Sequence, residues 1–321
     1  MRILVTGSTG VVGSHLLDFL ATLPGLDLYG TRRWRSTGYQ APGVTYVETD
    51  ITDYQSVKGI LDKIRPQVLF HLAAQSYTAP SFAAPRATWD VNAIGTLNVL
   101  EALSDIPWKP EACVIAGSAA AYGEQALFPT AEDAPLRPVS PYGCTKAAQD
   151  LLGFQYYRSH SLPIIRTRSY IHVGTRQGLY NAVQAFCQQI ATAETISNPR
   201  FTLKVGNLDT KRDILDVRDA VRGFWAVVQH GVPGEAYNIC RGEAYGMREI
   251  VSALLKLTSL KVDVAVDAGR LRLTDPPIEV GNNAKLTAMS GWRAEIPFTD
   301  TLKWILDWRR SDASMGRASV K

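Results

Sequence analysis

The feature that most constrains this chain lies at its start. A strand-like run over residues 2–5 leads into Thr6-Gly7-Ser8-Thr9-Gly10-Val11-Val12-Gly13, and then into the helical pattern Ser14-His15-Leu16-Leu17-Asp18-Phe19-Leu20. Strand, glycine turn and helix in that order make a phosphate-binding corner. Gly7 permits the tight bend, Gly10 lets backbone approach a pyrophosphate, and Gly13 lets the helix pack closely, while the helix N-terminus turns its N–H groups and positive dipole toward the anion. The spacing is G-x-x-G-x-x-G rather than G-x-G-x-x-G, and its place on a βα junction carries the reading. Dinucleotide contacts are therefore expected from Gly7, Thr9, Gly10, Val11, Val12 and Gly13.

Such a corner needs a parallel sheet, and the first half supplies one. Residues 3–5, 26–31, 44–48, 68–72 and 112–116 read as nearly continuous apolar strands with helical patterns between them. Parallel strands need crossovers that cover both faces, so a doubly wound α/β sheet is predicted. After about residue 168 the rhythm loosens: helices are expected over 181–193, 217–229 and 247–257, and a strand over 201–205. We expect residues 1–169 to form the dinucleotide-binding domain, joined by returning segments near 209–240 and 284–309. Residues 170–208 and 241–283 would form a smaller C-terminal substrate-binding domain, and 311–321 a flexible tail. At 321 residues, 46% hydrophobic and 20% charged, the chain has material for both cores.

Charge and composition narrow the partners. A net charge of +4 is too small and dispersed to indicate nucleic acid. No apolar run approaches the roughly 20 residues that cross a bilayer. Met1 leads straight into the first strand rather than a signal-like segment, so a cytoplasmic location is expected. Cys113, Cys144, Cys187 and Cys240 are widely spaced and form no metal-ligating cluster, so reduced thiols and no metal are expected.

The second strand ends Tyr29-Gly30-Thr31-Arg32-Arg33, where an NAD-selective site places a carboxylate for the ribose 2′-hydroxyl. Two guanidiniums stand there instead. Arg presents planar, permanently charged donors that suit a 2′-phosphate, so NADP(H) is the expected cofactor. Asp50 and Ile51, ending the third strand, would meet the adenine edge, and the small residues of Leu72-Ala73-Ala74 would let the cofactor lie against backbone.

The chemistry is carried by Tyr142-Gly143-Cys144-Thr145-Lys146, which follows Pro141 and opens a helix. Residues four apart share a helix face, so Lys146 lies beside Tyr142, where an ammonium would lower the phenol's pKa. Upstream, Gly117-Ser118-Ala119-Ala120-Ala121-Tyr122-Gly123 closes a strand and offers the Ser118 hydroxyl to the same substrate oxygen. A hydroxyl and a tyrosine converging on one carbonyl polarise it for hydride transfer, with a nicotinamide as carrier.

These motifs, with Asp50-Ile51-Thr52-Asp53, Phe70-His71-Leu72-Ala73-Ala74-Gln75-Ser76 and the stretch from Asp90-Val91-Asn92 to Gly95-Thr96, resemble the extended short-chain dehydrogenase/reductase family over nearly the whole chain. The resemblance implies a Rossmann-type fold, Tyr142 as catalytic acid/base, and Lys146 as its partner and ribose contact. Ser118 would orient the carbonyl, and Asn92 would be a support in the active-site helix and a cofactor contact. Val205-Gly206-Asn207-Leu208, Arg212-Asp213, Asp216-Val217-Arg218-Asp219, Ala236-Tyr237-Asn238-Ile239-Cys240, Leu271-Arg272 to Asp275 and Ser290-Gly291-Trp292 resemble its nucleotide-sugar branch. That branch includes GDP-mannose 4,6-dehydratase and GDP-6-deoxy-4-keto-mannose reductase.

Within that branch, dehydratases resemble Ser/Thr-x-Glu, the carboxylate moving the sugar C5 proton. Here the sequence is Ser118-Ala119-Ala120. Alanine cannot shuttle a proton, so an NADPH-dependent 4-ketoreductase is expected, acting on a nucleotide-diphosphate sugar such as GDP-4-keto-6-deoxy-mannose. A tightly NAD(P)-holding epimerase or dehydratase, and a non-catalytic NADP-binding regulator, are the rival readings. The resemblance places Arg212 and Arg272 at the diphosphate and Asp275 at ribose hydroxyls, and it fits a homodimer. Gln75 and Ser76 are candidates for sugar hydroxyls. The chain departs from relatives at Arg168-Ser169-Tyr170-Ile171-His172-Val173-Gly174-Thr175, where Ile171 replaces an amide and Thr175 a proline, which leaves the sugar open. His172, Tyr122 and Trp292 are read as packing residues.

Overall fold

The computed structural model describes residues 1–33, 39–196, 200–271 and 274–314. In the first half the elements run β1 (Arg2–Thr6), α1 (Val11–Leu20), β2 (Asp27–Arg32), β3 (Val44–Glu48), α2 (Tyr54–Ile64), β4 (Val68–His71), α3 (Thr78–Ala83) and α4 (Pro85–Trp89). A π-helical turn at Asp90–Ile94 follows, then α5 (Gly95–Asp105), β5 (Ala112–Ser118), a 3₁₀ turn at Ala119–Ala121 and α6 (Pro141–His160). The second half runs β6 (Ile164–Ser169), β7 (Ile171–Val173), α7 (Ala182–Thr195), β8 (Arg200–Val205), β9 (Lys211–Asp216), α8 (Val217–His230) and β10 (Ala236–Ile239). It ends with β11 (Ala244–Gly246), α9 (Met247–Leu255), β12 (Lys261–Val266), β13 (Ile278–Glu279), α10 (Ala284–Ser290) and α11 (Phe298–Ser314).

Seven strands form one sheet in the order β10-β6-β5-β4-β1-β2-β3, and every neighbouring pair is parallel. Alternating residues of its strands bury to opposite faces, as the two-residue strand period requires. Ile3, Val5, Val68, Phe70 and Val114 pack on α1 and α8, against Leu16, Leu17, Val221 and Phe224. Leu4, Leu69, Cys113 and Ile115 pack on α2, α5 and α6, against Leu61, Leu100, Leu103 and Tyr156. The strand order reverses at β1, between β4 and β2, which opens the crevice where doubly wound sheets bind ligands.

A second core joins α7, α9 and α11 through Phe186, Ile190, Ile250, Leu254, Leu302 and Leu306. Beside it, β9 pairs with β11, β13 and β7, and β8 pairs with β12. Two expected boundaries move here. The segment near 284–309 was expected to return to the large sheet, but its last helix, α11, buries its apolar stripe in the smaller core. Of the segment near 209–240, α8 and β10 return while β9 belongs to the small sheet. Residues 311–314, expected in a flexible tail, continue α11, and 315–321 lie outside the described residues. Among the described residues no helix is long and apolar enough to cross a membrane, and no group of three or more His, Cys, Asp or Glu is placed to hold a metal.

Candidate active site

At the β1–α1 corner the glycines are required by space as well as by conformation. Gly7 has φ +67°, and a Cβ there would lie 2.7 Å from Ala73 N. A Cβ on Gly13 would lie 2.3 Å from Gly7 O, so α1 can approach the turn only without a side chain. Gly10 N–H closes the turn on Gly7 O at 3.0 Å, and α1 starts at Val11 with no side-chain cap at Gly10. Its first N–H groups thus face the crevice, where a pyrophosphate would satisfy them.

Arg32 and Arg33 stand at the tip of β2, Arg33 exposed and Arg32 half-buried. An acid missed in the sequence sits across from Arg32: Glu48 on β3, its paired residue, at 3.5 Å. This is a long, partly exposed pair, and Arg32 Nε is buried with no hydrogen-bond partner. That orphaned donor and the glycine cradle fit a phosphorylated dinucleotide. Asp50 accepts from Thr52 N–H and hydroxyl at 2.9 and 2.8 Å, while Ile51 is buried against α5. Thr6 Oγ1 accepts the Leu72 and Ala73 N–H groups at 3.1 and 3.2 Å, which pins the strand end beside the glycine turn.

Ser118 ends β5 and Tyr142 stands in the first turn of α6, 24 residues later in sequence. What brings them together is Gly143: a Cβ there would lie 2.5 Å from Ala120 O, so only glycine lets the Ser118–Ala120 turn rest on α6. Ser140 caps α6 by accepting Gly143 N–H at 3.0 Å, and Pro141 occupies its first turn. Tyr142 N–H donates to Ser81 Oγ at 3.1 Å. Ser81 had no distinguishing mark in the sequence.

Burial pushes the Tyr142 phenol above the ordinary tyrosine range, and its hydrogen bond with Ser118 pulls the other way. Burial also lowers Lys146 to about 7. Lys146 shares the face of Tyr142, with Nζ 5.8 Å from the ring centroid, but its ammonium donates to Ala116 O at 2.9 Å. The expected lowering of the phenol's pKa by Lys146 is therefore corrected: burial is the largest influence on it, and the opposing one comes from Ser118. The direction of the shift favours the protonated phenol.

Asn92 lies in the π-helical turn with its carboxamide buried. Its Oδ1 accepts Gln75 N–H at 2.8 Å, and its Nδ2 donates to Gln75 O at 3.1 Å and Thr145 Oγ1 at 2.9 Å. Asn92 thus fastens the loop after β4 to α6. The Gln75 side chain is engaged by Tyr77 backbone, accepting its N–H and donating to its carbonyl, both at 3.0 Å. Ser76 is exposed and donates to Ala74 O at 3.4 Å.

On the substrate side the expectation of separate contacts changes. Arg212 and Asp275 face each other at 2.5 Å, Arg212 Nε also meets Glu279 at 3.2 Å, and Nη1 donates to Lys211 O. Arg212 is only 4% exposed, so its guanidinium is enclosed by its own chain rather than presented to a diphosphate. Asp275 keeps its other oxygen on Asn207 Nδ2 at 3.2 Å. Arg272 lies outside the described residues. Tyr122 donates to Asn238 Oδ1 at 2.8 Å, Trp292 Nε1 donates to Asp219 O at 3.1 Å, and His172 is edge-on to Phe224; all three are packing residues here.

A cavity of about 1580 Å³ reaches from Thr9, Gly10 and Val11 across α1, α8 and α11. Ser118, Tyr142 and Lys146 are not among its walls. The candidate site rests on the grouping of those three side chains at the end of β5 and the start of α6, together with the glycine corner, rather than on that cavity.

Comparison with known proteins agrees with this geometry. A family model described as GDP-mannose 4,6 dehydratase matches residues 4–305. GDP-6-deoxy-D-mannose reductase of Pseudomonas aeruginosa is 28% identical over 310 residues, covering 96% of this chain and 97% of that protein. Among solved structures, RMD from Pseudomonas aeruginosa complexed with NADPH superposes with a TM-score of 0.82 at 26% identity, covering 97% and 99% of the two chains. The UDP-glucose 4-epimerase of Thermotoga maritima with UDP-glucose gives a TM-score of 0.87 at 25% identity, covering 98% and 100%.

Proposed function

The chain belongs to the GDP-mannose 4,6-dehydratase family, and from that premise we propose that it is an NADPH-dependent reductase of a nucleotide-activated 4-keto-6-deoxy sugar. The substrate that fits best is GDP-4-keto-6-deoxy-D-mannose, reduced to GDP-D-rhamnose by a cytoplasmic homodimer. The observation that carries the reading is the pairing of Tyr142 on α6 with Ser118, which opens a turn whose other side chains, Ala119, Ala120 and Ala121, are methyl groups. The pair can donate to a carbonyl oxygen, and no carboxylate on that turn can take a proton from C5. Full-length likeness to GDP-6-deoxy-D-mannose reductase supports the same choice.

The glycine corner and the Arg32–Arg33 tip would hold NADPH, which when bound would supply the hydride. The chain's own residues manage the proton. Ser118 and Tyr142 hydrogen-bond the C4 oxygen, and the phenolic proton passes to that oxygen as negative charge develops on it. Lys146, one turn along α6, would hold the cofactor's ribose. Arg212, fixed by Glu279, orients Asp275 toward ribose hydroxyls of the nucleotide.

The test is a panel of GDP-, dTDP-, UDP- and CDP-linked 4-keto-6-deoxy sugars, followed by NADPH oxidation and product analysis. Stoichiometric NADPH consumption with a GDP sugar is expected. Purified protein that carries oxidised cofactor and interconverts sugars with no net reductant would overturn the reductase in favour of an epimerase. Cofactor choice is tested separately: Arg32→Ala with Arg33→Ala is expected to weaken NADPH by about 10–100-fold, the size of one or two lost charge-assisted hydrogen bonds, and NADH little. Equal weakening of both would remove these residues from the 2′-phosphate.

A further inference from the structure

Among the buried polar groups that the mechanism does not use is His71, at the end of β4, which is 1% exposed. Its Nδ1 lies 2.9 Å from Thr6 Oγ1 and its Nε2 lies 3.0 Å from Thr96 Oγ1. Thr96 Oγ1 in turn lies 2.6 Å from Asn92 O and accepts from Gln149 Nε2 on α6.

Donor counting fixes every proton in this chain. Asn92 O carries no hydrogen, so the Thr96 hydroxyl proton must lie on that bond. Thr96 Oγ1 then accepts from His71, which places the imidazole proton on Nε2. Thr6 Oγ1 already accepts two backbone N–H groups, from Leu72 and Ala73, so its own proton goes to His71 Nδ1. The series runs one way: Thr6 to His71 to Thr96 to Asn92. A protonated imidazole would aim a third donor at Thr6 and strand that hydroxyl's hydrogen. Burial agrees, lowering His71 to about 3.

The series ends in the π-helical turn, where Gly95 N–H reaches back to Asp90 O. Turns of this kind are an irregularity that must be held in place, and they recur at functional sites. This one sets the direction of the Asn92 carboxamide, which grips Gln75 and Thr145. Thr145 Oγ1 donates to Tyr142 O at 2.8 Å.

We propose that His71 and Thr96 are positioning residues for the reduction: their one-way hydrogen-bond series couples the cofactor-side strand ends at Thr6, Leu72 and Ala73 to the turn that aims Asn92 at α6. This rests on the reductase reading for its kinetic consequence, but not for its structural one. The Thr96 hydroxyl is the node, since it joins β4, α6 and the π-helical turn.

The experiment compares Thr96→Val, which keeps shape and loses the hydroxyl, with Thr96→Ser, which keeps the hydroxyl, each against the parent holoprotein with NADPH. Amide exchange over residues 74–77 is expected to quicken at least tenfold in Thr96→Val and to return to the parent rate in Thr96→Ser, with the C-terminal half of α5 unchanged. Turnover of the 4-keto sugar should fall about tenfold in Thr96→Val with little change in KM, and recover in Thr96→Ser. Unaltered exchange at 74–77, or equal defects in the two variants, overturns the proposal. So does a fall in Tm with turnover intact below it, because that is what a merely structural threonine would produce. If the parent turns over no 4-keto sugar, the reductase reading fails while the exchange comparison still decides the positioning role.

Discussion

Tyr142→Phe is expected to lower reductive turnover by about 10²–10⁴-fold, the range contributed by a positioned general acid, while NADPH affinity stays within about twofold. The variant removes one oxygen from a side chain whose ring stays packed in the first turn of α6. The contacts assigned to the cofactor's phosphates lie on β1, α1 and β2, away from the deletion. Stopped-flow measurement of hydride transfer beside fluorescence titration of NADPH separates the two quantities. Lost NADPH binding with preserved chemistry would remove Tyr142 from the acid's role. The phenol's raised pKa gives a sign as well. Reduction uses the protonated form, so the limb owed to Tyr142 should fall on the alkaline side, above the ordinary tyrosine value. An acid of this kind loses nothing at neutral pH.

Lys146→Met should give the second large effect, in opposite directions on activity and stability. Turnover is expected to fall at least about 10²-fold, as is usual for loss of a group that helps set the acid/base machinery. The apoprotein, by contrast, should become more stable. Lys146 is 4% exposed, and its folded pKa of about 7 lies well below the unfolded value. Between those values the unfolded chain binds the additional proton, so the parent's stability rises with pH through that window and is reduced below pH 7. At about 1.4 kcal/mol for each pH unit that separates the folded from the unfolded value, the burden near pH 6 is on the order of a few kcal/mol. Leaving Ala116 O without its donor returns about 1 kcal/mol of that. Calorimetry should therefore show Tm higher by about 5 °C at pH 6, the difference closing toward pH 10. A variant less stable than the parent at pH 6 would mean that the lysine is not a buried, functionally maintained charge.

Much of the site was legible because its chemistry is local. The glycine corner occupies eight consecutive residues, and Tyr142 and Lys146 sit one helical turn apart, so backbone periodicity alone places each pair of partners. Strand assignments in the first half fell within two residues of those observed, since buried parallel strands are continuous apolar runs. What was misread involved partners distant in sequence. Arg212 was expected at a diphosphate, and its pairing with Asp275, 63 residues away, has no local signal in the sequence. Likewise Glu48 joins Arg32 only through the register of β2 and β3. The phenol's pKa was expected to follow its charged neighbour, but the balance between a charge and desolvation depends on how deeply the turn is buried.

The sequence by itself determined that this chain would wind a parallel sheet around a phosphate-binding corner, because strand, glycine turn and helix are contiguous and each dictates the next through backbone geometry. It also determined that Tyr142 and Lys146 lie together, since a phenol and an amine four residues apart on a helix must share a face. Only the tertiary structure decided the setting of those groups: a phenol whose pKa burial raises, a lysine lowered to about 7, and an asparagine joined through hydroxyls and one imidazole to β1, β4 and α5. Those properties arise from desolvation and from hydrogen bonds between residues far apart in the chain, and neither is fixed until the packed fold brings the groups together and excludes water.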